Sequence, residues 1–169
     1  MIVFDFLREQ IEKRSMDILR CSTGIIYIWF GVLKFFPETS PAEGIVSETL
    51  AAVSGGLLRG HIPVMVLGAV EIGIGFGFLF QKLKYAVPIM YFQMLGTVLP
   101  LFLFIDKTWV NFPFVPNLLG QYIIKNLVFI SAAIILGAVA GGAKLITDPV
   151  VAKQARAKEK KKEEKENPI

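Results

Sequence analysis

The sequence predicts an all-α protein: a four-span transmembrane helical bundle with an amphipathic N-terminal segment and a charged C-terminal tail. Three observations predict it. Of 169 residues, 54% are hydrophobic and only 19% are charged, below the roughly 25% charge usual in soluble domains. Several apolar runs approach or exceed the ~18 residues associated with spanning a bilayer. The basic residues gather at the ends of these runs, as orientation signals do.

Residues 1–17 mix Phe4, Leu7 and Ile11 with Arg8, Glu9, Glu12, Lys13 and Arg14. The segment is too polar for the apolar region of a secretory signal and fits a helix lying at a membrane surface. The membrane domain is expected over 18–146, with spans at 18–36, 62–80, 85–105 and 122–146. Pro37 favours an exit from the first span. Pro63 suits the first turn of the second. Pro88 lies near the start of the third, and Pro100 is placed to kink its far end. Asp148-Pro149 marks the change into a tail, 147–169, whose mixed charge suits a solvated end.

Between the first two spans lie about 25 residues, ETSPAEGIVSETLAAVSGGLLRGH, long for an unstructured connection. Ile45, Val46, Thr49, Leu50 and Val53 form a short amphipathic pattern there. A helical piece is expected, ended by Ser54-Gly55-Gly56.

Four spans put both termini on one side. The N-terminal stretch, the connection holding Lys82 and Lys84, and the C-terminal region together carry 14 of the 18 Lys and Arg residues. The positive-inside rule then places both termini in the cytoplasm of a cell or inner membrane. The same distribution, with acids interspersed, argues against a nucleic-acid partner. A single cysteine, Cys21, permits neither an internal disulfide nor a CxxC pair, and a single histidine, His61, permits no histidine cluster for a metal.

Polar groups at membrane depth are the candidate site. Lys34 sits at the outer end of span one, where its stem can snorkel or its ammonium can meet a partner. Glu71 stands near the midplane of span two and should face the bundle interior. It is open to three roles: pairing with a base, hydrogen bonding between helices, or handling a proton. Lys34 and Glu71 are expected at depths about 8–12 Å apart by helix rise, so a direct pair needs tilt and reach, and a water or ligand between them is an alternative. Gly68 and Gly75 flank Glu71, and Gly24 and Gly31 share the seven-residue spacing, which makes a close contact of spans one and two plausible. Gln93 and Thr97 share a face of span three. Gln121 and Lys125 have i,i+4 spacing at the outer end of span four. Lys34 and Lys125 together make a positive region near the outer headgroups, unless Glu38, Glu43, Glu48 or Asp106 neutralises it. Lys34, Glu71, Gln93, Gln121 and Lys125 are therefore the expected ligand-binding residues.

The stretches IWFGVLKFFPETSPAEG (28–44), LGAVEIGIGFGFLF (67–80), QMLGTVLPLFLF (93–104) and GQYIIKNLVFI (120–130) together resemble the DoxX-like family of small four-helix integral membrane proteins. The more specific pieces are Gly31-x-x-Lys34-Phe-Phe-Pro37 and Gly120-Gln-Tyr-Ile-Ile-Lys-Asn126. The resemblance spans roughly residues 18–146. It implies a compact four-span bundle. Some relatives are quinone-linked oxidoreductase subunits and others are chaperone-like, so the resemblance implies a possible quinone ligand and redox partner without fixing an enzyme class. Two functions are expected to compete. One is binding of a quinone or lipid-like molecule in service of a membrane redox subunit. The other is a non-catalytic assembly or structural subunit, in which form a homo-oligomer is also conceivable. Transport has little support, because no internal repeat suggests alternating access.

Overall fold

The computed structural model describes residues 2–40, 42–143, 150–151, 153–155 and 157–158, with side chains described from residue 11 onward except 12 and 13. It is almost entirely α-helical. In chain order the elements are α1 (Ile2–Leu33), α2 (Glu43–Val53), α3 (His61–Leu79), α4 (Leu83–Val98), α5 (Pro100–Leu103), α6 (Ile105–Thr108), β1 (Trp109–Asn111), β2 (Val115–Pro116), α7 (Leu118–Ile124) and α8 (Asn126–Ala140). Four stretches are long and apolar enough to cross a membrane: Arg14–Leu33, His61–Leu79, Leu83–Leu103 and Leu118–Ala140. The protein is thus a multi-span membrane bundle. Of the tail expected over 147–169, the described residues are helical, and the remainder lies outside the described residues. The sequence around Phe4 and Leu7 continues into span one as a single helix; the amphipathic face expected there falls on side chains outside those described.

The spans run up, down, up and down. The end bearing α2, α6 and the short β1–β2 hairpin is called the loop end; the opposite end holds the start of span one, the 80–82 connection and the end of α8. The apolar core fills the half of the bundle nearer that connection, where Tyr27, Ile74, Phe78, Val87, Met90, Ala133 and Leu136 pack together. Outward faces carry Trp29, Val66, Phe92, Leu95 and Val128, all exposed, as a lipid-facing surface requires.

The dominant packing is α1 against α3, and glycine makes it close. A Cβ on Gly31 would lie 2.7 Å from the Gly68 carbonyl oxygen, and one on Gly68 would lie 2.7 Å from that of Gly31. Seven residues away the pattern repeats: a Cβ on Gly75 would lie 2.6 Å from the Gly24 oxygen. The two backbones touch at both levels, so nothing larger than hydrogen fits between them. The pairing Gly31–Gly68 and Gly24–Gly75 also fixes the antiparallel register.

Local breaks follow their residues. Pro100 has no N–H to offer the preceding turn, and α4 gives way to α5 at Leu99. Helix α2 forms where the amphipathic pattern predicted one and ends at Ser54, after which Gly55 and Gly56 take φ of 63° and 91°. Helix α7 begins at Leu118, ahead of the expected 122, because the Asn117 side chain caps it by accepting from the Gly120 N–H at 3.0 Å. Helix α8 ends at Ala140, before Gly142 at φ 92°. At the end opposite the loops Arg20 has a second occupation besides its charge: Nη1 donates to the carbonyls of Phe78 and Leu79, at 2.7 and 2.6 Å. It thereby satisfies acceptors left open by the end of α3.

The glycine contacts predict a graded mutational response. Gly31→Ala and Gly68→Ala each force backbone apart and should destabilise the bundle by about 1–3 kcal/mol, the range for overpacking. Gly73→Ala meets nothing within 4 Å and should be close to neutral. Unfolding titrations in mixed detergent micelles measure the difference.

Candidate functional site

The site lies between the apolar core and the loop end. Lys34 Nζ donates to Glu71 Oε2 at 2.6 Å, and each side chain is 9% exposed. The other Glu71 oxygen, Oε1, accepts from Gln93 Nε2 at 3.1 Å. Gln93 Nε2 also donates to Thr97 Oγ1 at 3.1 Å. The Tyr27 hydroxyl donates to Gln93 Oε1 at 3.2 Å. Spans one, two and three are thus linked through one chain of hydrogen bonds, Lys34–Glu71–Gln93–Tyr27.

The depth difference expected between Lys34 and Glu71 is present in the backbone, yet the two side chains meet directly. From the glycine register, the residue on α3 level with Lys34 is Met65, six positions from Glu71, or about 9 Å at ~1.5 Å per residue. Side chains on a helix lean toward its N-terminus. In α1 that direction points into the bundle, and in α3 it points toward the loop end. The two side chains therefore lean toward each other and close the offset. Lys34 helps by lying just past Leu33, where its N–H turns back to the Gly31 carbonyl at 3.2 Å.

Beside this network is a cavity of about 80 Å³, several times the ~10–15 Å³ that one water needs. Lys34, Glu71, Gln93, Thr97, Tyr122, Lys125 and Asn126 supply its polar wall, and Tyr27, Phe30, Met94 and Phe129 much of the rest. Four of the five expected residues, Lys34, Glu71, Gln93 and Lys125, thus line one cavity. Gln121 does not: it is exposed on the loop side, and its Nε2 donates to the Pro116 carbonyl at 3.2 Å. Tyr122 and Asn126, polar members of the same GQYIIKN stretch though not among the expected ligand-binding residues, also line it, as does Tyr27, which the sequence did not single out. Asn126 was the easiest to find, since a polar amide beside Lys125 in an apolar span cannot face lipid unpaired.

Lys125 is handled differently from Lys34. Its Nζ lies 3.5 Å from the centroid of the Tyr122 ring and 5.3 Å from that of Phe30, a cation–π arrangement. No carboxylate lies within ion-pair distance of it among the described residues. Two of the four loop acids that might have neutralised either lysine are engaged elsewhere. Glu43 Oε1 pairs with His61 Nδ1 at 2.8 Å, and Glu48 Oε2 with Lys107 Nζ at 2.7 Å. The Glu48 hydrogen bond holds the Lys107 ammonium above its usual pKa. These contacts tie α2 to α3 and α6 and keep His61 out of the cavity wall. Among the described residues, no group of three or more His, Cys, Asp or Glu side chains is arranged to hold a metal ion.

No family model, no curated protein and no solved structure matches the chain.

The buried pair predicts strong coupling. Glu71→Gln leaves the Lys34 ammonium buried without its carboxylate and should destabilise by about 3–5 kcal/mol, as does Lys34→Met in the reverse sense. The double variant Lys34→Met/Glu71→Gln removes both charges and should recover most of that loss. A double-mutant cycle on unfolding free energies reads the coupling directly.

Proposed function

We propose that this small integral membrane protein is of the DoxX-like kind and binds a quinone or lipid-like small molecule in its polar cavity, in service of a membrane redox partner. The observation that carries the reading is the cavity itself. A polar hollow inside an otherwise apolar bundle, walled by Lys34, Glu71, Gln93, Tyr122, Lys125 and Asn126, offers donors and acceptors to the head of a membrane-soluble molecule. Quinone carbonyls accept hydrogen bonds, and lysine, asparagine and tyrosine are donors of the right kind. The Lys34–Glu71 hydrogen bond joins a base to an acid between which a proton can pass, while Gln93 holds the carboxylate in place. With one cysteine, Cys21, the chain carries no dithiol of its own, so the proposal assigns electron supply to a partner subunit. Lys34, Glu71, Gln93 and Lys125 are the proposed ligand-binding residues, and Gln121 keeps a place only at the loop-side rim. The basic-residue count supports both termini in the cytoplasm.

A second reading is favoured by one specific feature. Both oxygens of Glu71 and both ends of the Gln93 amide already have protein partners. A fully satisfied network of this sort fastens helices together, which suits an assembly or structural subunit.

The two readings separate on binding. The protein purified in mild detergent should carry a quinone or lipid identifiable by native mass spectrometry. In lipid nanodiscs it should bind a short-chain quinone saturably, with affinity falling about tenfold or more in the folded double variant Lys34→Met/Glu71→Gln, the loss expected for a charged hydrogen-bond donor. A folded protein with neither a co-purified ligand nor saturable binding leaves the fastening role. Orientation is checked by a C-terminal reporter that is active only in the cytoplasm.

A further inference from the structure

We propose that the seam between α1 and α8 receives a single-chain anionic amphiphile, with a carboxylate head at Lys125 and Asn126 and its tail along Trp29. The inference rests on the reading that the cavity holds a ligand, and it selects the ligand's charge and route.

A groove of about 480 Å³ runs between the helices, lined by Ile26, Trp29, Phe30, Lys125, Val128 and Phe129. Trp29 is 66% exposed and Val128 71% exposed, so the groove opens on the face turned to lipid. Ile26, Phe30, Lys125 and Phe129 line both the groove and the polar cavity. The groove therefore leads from the hydrocarbon into the cavity wall, and Lys125 stands where the two meet. Contacts between α1 and α8 are sparse beside those of α1 with α3, which leaves room at this seam.

The cavity wall holds two lysines and one acid. Lys34 takes Glu71, which leaves the exposed Lys125 side chain against aromatic faces, with no carboxylate partner among the described residues. A neutral head would leave that charge as it is. An anionic head completes it.

Asn126 is 9% exposed, lines the cavity, and its amide makes no hydrogen bond among the described residues. The amide atoms are not sealed off, and the NH₂ group is a donor suited to a carboxylate oxygen. A cavity of about 80 Å³ accepts a compact head while the chain stays in the groove, the arrangement a fatty-acid-like molecule has already in the bilayer.

Trp29 supplies the reporter. The chain has two tryptophans, so Trp109→Phe leaves Trp29 as the only emitter. In nanodiscs of zwitterionic lipid at about pH 8, above the carboxyl and below the lysine range, a chain-brominated fatty acid at low mole fraction should quench Trp29 saturably. Its methyl ester should not. Lys125→Gln and Asn126→Ala should each raise the half-saturation point, the former about tenfold, while Lys125→Arg retains binding. Gel filtration and circular dichroism confirm that the variants are folded. Equal, unsaturable quenching by acid and ester means that Lys125 merely snorkels to the headgroups, and it overturns the inference. Saturable binding of a short-chain quinone without binding of the acid also overturns it, yet leaves the ligand-cavity reading intact. Saturable binding of neither ligand removes both.

Discussion

An ammonium and a carboxylate placed inside a hydrocarbon layer have no water to fall back on. Each is strongly unfavourable alone, and together they are tolerable only if they touch and if their remaining hydrogen-bonding capacity is used. The Lys34–Glu71 pair imposes that condition on the rest of the molecule. The 2.6 Å contact needs α1 and α3 nearly in backbone contact, which is why glycines stand at positions 24, 31, 68 and 75. The second carboxylate oxygen needs a donor, which brings Gln93 and with it α4. The far end of the Gln93 amide needs a donor in turn, which Tyr27 supplies. Each step is compelled by the one before it. The order of the helices around the network follows from satisfying one buried pair.

The glycine contacts do more than permit closeness. With pairs at two levels seven residues apart, a slip of one heptad would bring a single glycine pair together and set the other two glycines against larger side chains. Such a slip would also carry Glu71 about 10 Å along the axis by helix rise, away from Lys34. Packing and charge thus select the same register. This agreement between independent terms is what distinguishes one native arrangement from its neighbours.

Much of the fold could be read from sequence, because membrane spans declare themselves by length and apolarity. The surface helix α2 could be read as well, from its short periodic pattern and its Ser-Gly-Gly end. The site was partly legible: a charge or amide deep in a span must face inward, which marked Lys34, Glu71 and Gln93. Four things were hidden. The direct ion pair depends on the opposite lean of side chains in antiparallel helices, which linear depth arithmetic ignores. Gln121 shares i,i+4 spacing with Lys125, but spacing along one helix does not say which way that face turns, and Gln121 turns to the loop. Tyr27 carried no signal in the sequence, since its hydroxyl acquires a partner only when α4 is in place. The β1–β2 hairpin, a two-stranded ladder with Trp109 opposite Pro116, is too short to leave a periodic signal.

The position of Glu71 has a consequence for how the chain is made. Helices enter the membrane in the order in which the ribosome produces them, and a lone carboxylate at mid-span weakens the case for inserting α3 by roughly 2.5–3.5 kcal/mol on translocon scales. Here the base precedes the acid. Lys34 lies 37 residues upstream of Glu71, at the end of a helix already synthesised when α3 emerges. The first span can therefore act as an intramolecular receptor for the second, meeting its charge at the moment of partition. Until then Lys34, at the end of its span, can snorkel toward the headgroups, which a glutamate at the same place, with its shorter stem, could do less well.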